Sequence, residues 1–416
     1  MHYVIIGAGP AGVIAAETLR KYDKNSAITL IGDEPEPPYS RMAIPYLLMQ
    51  NIEEKGTYLR KTGDHYQRLA IDLCHDHVIG LDTAQKQIHL QNDKTLGYDK
   101  LLIATGSHPI RPPITGMDLP GVNYCWTLAD ARQIAAKIKP GAKVVLMGAG
   151  FIGCIILEAL VKRGAELTVV EQGDRMVPRM MNEKAGNLIK RWCIDKGIRV
   201  LTSTRVEAVE VGQASPLSIK LAGQSAIPAD LLVSATGVRP NIAFLKNTDI
   251  KTEQGILIDR HMQTSVQDIY AAGDVAQGLD FSTGENTVQA IQPTAAEHAQ
   301  IAAKNMLGLP GARFQGAVNM NVLDTLGLIS SSFGLWMGAD GGDQSECYDP
   351  ENFKYLNLQF ADDVLIGATT IGFTQHVGVL RGLIQNKTHL QDWKPRLQQD
   401  PSRVMEAWLA THQVLA

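Results

Sequence analysis

Apolar residues gather in short unbroken runs that end at glycine. Tyr3-Val4-Ile5-Ile6 leads into Gly7-Ala8-Gly9-Pro10-Ala11-Gly12, and Leu101-Leu102-Ile103 into Ala104-Thr105-Gly106. The pattern then returns: Val144-Val145-Leu146-Met147 leads into Gly148-Ala149-Gly150-Phe151-Ile152-Gly153, and Leu231-Leu232-Val233 into Ser234-Ala235-Thr236-Gly237. A run that is apolar at every position and too short for a helix reads as a strand buried on both faces of a parallel sheet. After each G-x-G-x-x-G turn the pattern becomes helical, from about Val13 to Arg20 and from Cys154 to about Arg163. Further strands are predicted at Ala27–Glu34 and Leu167–Glu171, with a hairpin-like pair at His77–Asp82 and Gln87–Leu90. A strand over Gln263–Ala272 ends in Gly273-Asp274-Val275, and an alanine-rich helix follows from about Thr294 to Met306. Past Pro310, alternation at Leu326–Ser331, Tyr355–Phe360 and Val364–Ile371 predicts an antiparallel sheet, closed by helices near Val377–Ile384 and Ser402–Ala410.

The two glycine turns carry the chemistry. In such a turn the first glycine permits the tight bend. The second lets the backbone approach a pyrophosphate, and the third lets helix and strand pack closely. The helix behind offers free N–H groups to phosphate. An acid belongs at the end of the next strand, on a ribose, and Asp33 or Glu34 and then Glu171 stand there. Two complete copies imply two dinucleotide sites.

Composition removes several alternatives. The chain has 416 residues and a net charge of −4, so neither a nucleic-acid binder nor a basic membrane-surface binder is indicated. No apolar run reaches the roughly 18 residues of a membrane span. The first residues already read as strand, with no signal peptide, so a cytoplasmic location is expected. The five cysteines are scattered, without a C-x-x-C pair, so neither a metal site nor a redox disulfide is readable.

The order of motifs resembles the two-dinucleotide-binding flavoproteins: the pyridine-nucleotide disulfide oxidoreductases and their ferredoxin- and rubredoxin-reductase relatives. The resemblance covers roughly residues 1–310. It implies an α/β fold with two Rossmann-like doubly wound domains, one inserted in the other, plus a C-terminal α+β domain with an antiparallel sheet. The expected divisions are an FAD-binding domain at 1–111 and 241–312, an NAD(P)H-binding domain at 112–240, and an interface domain at 313–416. Gly7, Gly9, Pro10, Ala11, Gly12, Asp33 and Glu34 would bind the ADP half of FAD. Arg41 would lie along flavin or pyrophosphate, and Val78 against the adenine. Ala104, Thr105, Gly106, Asp274 and Val275 would flank the cofactor, with Gly273 in the turn before them. Pro293 and Thr294 would open a helix toward the flavin. Gly148, Gly150, Phe151, Ile152, Gly153, Glu171 and Gly237 would hold the nicotinamide nucleotide. Glu171 would repel a 2′-phosphate, which favours NADH over NADPH. The implied activity is FAD-dependent NADH oxidation, with electrons passed to a ferredoxin- or rubredoxin-like protein or a partner subunit. A homodimer or membership of a larger complex is implied as well.

Three departures narrow this. Where the cysteine-dependent branch has C-G-L-P-Y, this chain has Met42-Ala43-Ile44-Pro45-Tyr46, so no redox-active cysteine is expected. Where ferredoxin reductases pair a lysine with a glutamate beside the flavin, Tyr46 and Ile155 stand, with Glu158 one helical turn on. Tyr46 and Glu158 are therefore the candidate catalytic side chains. The F-W-S-x-Q segment is replaced by Val322–Leu328. Two alternatives follow: a flavin-binding subunit with weak NADH chemistry of its own, or a cysteine-independent NADH:quinone or O₂ reductase.

Overall fold

The strand His2–Ile6 sits in the middle of a five-stranded parallel sheet because its β-branched and aromatic side chains are buried on both faces. Its neighbours are Ala27–Gly32 and Lys100–Ile103, with Ile71–His75 and Ile269–Ala271 at the edges. This computed structural model describes residues 1–412. The chain divides into two compact units. One is Met1–His108 with Val238–Ala317, and the other is Pro109–Gly237 with the described residues from Val318 on.

In the first unit, helix Pro10–Tyr22 begins at Gly9, with proline in its first turn, and buries Ala11, Val13, Ala15, Ala16 and Leu19. These mostly small side chains let it pack on helix Gln292–Met306, which presents Ala295, Ala299, Ala302 and Ala303. Arg20 is buried near the end of the first helix, and its guanidinium donates to the carbonyls of Asp23, Ser26, Leu69 and Ala70. It thereby fixes where the helix stops and the next strand starts. The pair Val78–Asp82 and Gln87–Leu90 is an antiparallel hairpin, as the alternation implies.

The second unit repeats the plan. Lys143–Met147 is central, flanked by Glu166–Val170 and Leu231–Ser234, with Arg199–Leu201 and Val122–Asn123 outside, all parallel. The same unit holds an antiparallel sheet in the order Met320–Thr325, Leu328–Gly334, Val364–Ile371, Lys354–Ala361, Asp343–Asp349. Helix Glu183–Asp195 is tied to it: Trp192 Nε1 donates to the Thr325 carbonyl, and Asn182 Nδ2 to the Tyr355 hydroxyl.

Some elements differ from the sequence reading. The strand expected from Gln263 shrinks to Ile269–Ala271, because Met262 and Asp268 adopt positive φ and the Thr264 hydroxyl bonds locally to Val266. Strand Asp343–Asp349 and helix Trp393–Gln399 are additional. No helix among the described residues is long and apolar enough to cross a membrane.

Candidate functional site

Both glycine turns emerge where a central parallel strand ends, and they share one geometry. Gly9 has φ −78° and ψ −173°; Gly150 has φ −74° and ψ −171°. Gly7 and Gly148 have φ of +114° and +101°, a region that suits glycine. A Cβ on Gly7 would lie 2.1 Å from the Ala104 carbonyl oxygen, and one on Gly12 would lie 1.9 Å from that of Gly7. The second copy matches: Gly148 would meet Ala235 O at 2.5 Å, and Gly153 would meet Gly148 O at 2.2 Å. The middle glycines behave oppositely. A Cβ on Gly9 or Gly150 would meet nothing within 4 Å. Protein packing therefore explains the outer glycines and does not require glycine at the middle positions. Neither following helix has a side-chain cap, so its first N–H groups are available to phosphate oxygens.

Around the first turn the structure gathers several expected residues. The Arg41 guanidinium bonds Glu34 Oε1 at 2.7 Å and the Tyr39 hydroxyl at 3.0 Å, and Tyr39 donates to Glu34 Oε2 at 2.5 Å. Glu34 thus orients Arg41. Asp33, more exposed, faces His77 Nδ1 at 3.2 Å. Val78 is buried at the start of its strand. Thr105 is held by Asn241: the Thr105 hydroxyl donates to the Asn241 carbonyl, and Asn241 Nδ2 donates to the Thr105 carbonyl. Gly106 and Gly273 have positive φ, and Gly273 lies against Ala11 and Ala295. Asp274 is half-buried, and the loss of water around its carboxyl pushes the pKa up; the hydrogen bond from Ser107 Oγ at 3.0 Å and the Arg41 charge oppose that rise. Val275 points into the apolar core. Pro293 is exposed, Thr294 is buried, and the Ser40 hydroxyl donates to the neighbouring Gln292 at 2.6 Å. Nothing in the sequence marks Ser40, Ser107 or Asn241 as part of the site. Their partners lie far away along the chain, so no local signal marks them.

Around the second turn, Glu171 accepts from Ala149 N at 2.7 Å and from Gly173 N at 2.6 Å. Phe151 and Ile152 open the helix half-buried, and Gly237 has φ +112°. Arg175 is turned to Asp174 and to the Met181 carbonyl. Glu158 is largely buried and pairs with Lys162 at 2.6 Å. Tyr46, in the first unit, is 53% exposed, and its neighbour Met42 48%. Among the described residues no group of histidine, cysteine and acidic side chains could hold a metal. All five cysteines are free thiols. Burial pushes Cys125 and Cys193 up to about 12, and Cys154 well above its ordinary value.

Comparison with known proteins matches this geometry to a family. The family described as "Pyridine nucleotide-disulphide oxidoreductase" matches residues 1–304. The chain is 30% identical over 405 residues to the NADH-dependent phenylglyoxylate dehydrogenase subunit epsilon of Aromatoleum evansii, covering 97% of this chain and 96% of that one. It is 34% identical over 331 residues to an NADH oxidase of Methanocaldococcus jannaschii, covering 77% and 73%. Its fold is similar to that in the covalent putidaredoxin reductase–putidaredoxin complex, with a TM-score of 0.89 at 23% identity, covering 99% and 98%.

Proposed function

The chain belongs to the pyridine nucleotide-disulphide oxidoreductases, as an FAD-dependent NAD(P)H oxidoreductase, and on that premise we propose that it passes electrons from NADH to a separate redox protein or partner subunit. The observation that carries this is the pair of turns whose outer glycines are filled by protein and whose middle glycines face open space. The first unit would hold FAD: Gly9 and the helix N-terminus at the pyrophosphate, Arg41 beside it, Asp33 at the ribose, and Asp274 along the sugar chain. FAD, when bound, supplies the step between two-electron and one-electron chemistry. The second unit would hold the nicotinamide nucleotide, with Glu171 at its ribose.

NADH is favoured over NADPH because a 2′-phosphate would meet the Glu171 carboxylate, while Arg175 is tied to Asp174 and Met181. A protein acceptor is favoured by the relative that is itself a subunit and matches almost end to end. With Met42 at the position that the resemblance assigns to the redox cysteine, no thiol would take part. The protein would work in the cytoplasm, as a homodimer or within a larger complex.

Anaerobic stopped-flow mixing of the FAD-loaded protein tests the reading. NADH should bleach the flavin within seconds and NADPH far more slowly. Failure with both would leave the flavin-subunit alternative. Steady-state assays with ferredoxin, rubredoxin, quinone and oxygen then identify the acceptor class; the NADH oxidase relative makes fast oxygen reduction the competing outcome.

A further inference from the structure

The second unit has a cleft at the end of its parallel strands opposite the glycine turn. Strands Lys143–Met147 and Glu166–Val170 run side by side, with Lys143 opposite Glu166 and Met147 opposite Val170. Their far ends lead to Gly148 and Glu171. Their near ends open on a cleft of about 550 Å³. Lys143, Lys196 and Arg199 line it, with Glu166 as the one carboxylate, and Ile198 and Ile227 supply apolar surface. The Lys196 ammonium lies 4.5 Å from the centre of the Trp192 ring.

The volume falls within the roughly 300–1,000 Å³ of small-molecule sites. Three cations against one carboxylate attract an anion. A helix C-terminus opposes that attraction, and helix Glu183–Asp195 ends here. Its last carbonyls, however, already accept from Lys196, Gly197 and Ile198 N–H groups. The side-chain charges therefore dominate. We propose that this cleft binds a small carboxylate carrying a short apolar body, its head on Lys143, Lys196 and Arg199 and its body on Ile198 and Ile227. Strands of this length place the cleft on the order of 17 Å from the nucleotide turn, so the two ligands bind together rather than compete.

Calorimetric titration of the FAD-loaded protein with hexanoate, and with acetate as the head alone, tests this. Hexanoate should bind saturably, with saturating NAD⁺ present, and acetate much more weakly. Lys143→Gln with Arg199→Gln should weaken hexanoate roughly tenfold or more. Glu166→Gln should tighten it. Ile227→Trp, which fills the cleft, should abolish it while leaving NADH reduction of the flavin unchanged. Absence of saturable binding, displacement by NAD⁺, equal affinity for acetate, or undiminished binding in the double or Ile227→Trp variant would overturn the proposal.

Discussion

Glu171 accepts the backbone N–H of Ala149 at 2.7 Å, across 22 positions of sequence, and so ties the glycine turn to the end of the neighbouring strand. Its other oxygen takes the N–H of Gly173. One carboxylate thus fixes two loops of the proposed nucleotide site. Glu171→Ala removes both acceptors, and hydrogen bonds to a charged group contribute roughly 1.5–3 kcal/mol each. NADH affinity should fall by roughly 10- to 100-fold, with FAD content unchanged. Glu171→Gln, whose amide keeps one acceptor, should fall between. Fluorescence titration with NADH measures this; wild-type affinity in Glu171→Ala would refute the assignment.

The outer and middle glycines of the two turns should respond differently to a single methyl group. Gly12→Ala places Cβ 1.9 Å from the Gly7 carbonyl oxygen, and no side-chain rotation relieves a backbone clash. That variant should fail to accumulate as folded protein. Gly9→Ala meets no protein atom within 4 Å, so it should fold and melt close to wild type. It should nevertheless purify with little FAD, because the methyl would occupy the place proposed for the pyrophosphate. Gly150→Ala should keep its FAD and lose NADH binding. Circular dichroism and flavin absorbance report the two properties separately. A Gly9→Ala protein that retains full flavin would place the cofactor elsewhere.

The paired turns were readable because glycine spacing, the preceding apolar run and the following helix are all local. The hydrogen bonds that shape the site were not. Ser107 reaches Asp274 across 167 positions and Ser40 reaches Gln292 across 252. Chain topology makes those pairs, and composition does not record it. The pairing of Glu158 with Lys162 follows ordinary helical i,i+4 spacing. In the antiparallel sheet, register adds what the alternation does not carry. Asn321, Ser332, Thr369, Asn357 and Glu346 form one in-register row across all five strands. Ser332, Thr369 and Asn357 in that row are fully buried. Polarity alone assigns such residues to solvent; only register brings them together inside.

The free thiols make a stoichiometric prediction. Three of the five cysteines are buried, with pKa values raised by desolvation, and none is paired. A disulfide-dependent enzyme stores two electrons on sulfur besides those on its flavin. This protein should take up only the flavin's share. Anaerobic dithionite titration should end at the flavin's two-electron equivalence, with no earlier phase lacking flavin bleaching. Blocking Cys74 and Cys347, the two thiols that are not fully buried, should leave NADH reduction intact. Uptake of a second electron pair would reveal a sulfur centre.

His298 should govern part of the acid sensitivity. It lies within helix Gln292–Met306, edge-on to Phe314 at 4.6 Å between centroids, and neither ring nitrogen has a hydrogen-bond partner among the described residues. Burial strips the charged form of water and lowers its pKa from 6.5 to about 4. The folded protein therefore keeps the ring neutral while the unfolded chain protonates it. The stabilisation is complete above pH 6.5 and is lost as pH falls toward 4, amounting to ~3 kcal/mol over that span. His298→Leu removes both the titration and the unpaired nitrogens, so it should match or exceed wild-type stability at pH 7. Its advantage should then widen by about 3 kcal/mol between pH 6.5 and pH 4. Urea unfolding of both proteins across that range checks the slope. Parallel pH profiles would mean that water reaches the ring and that the histidine already carries its charge inside the fold.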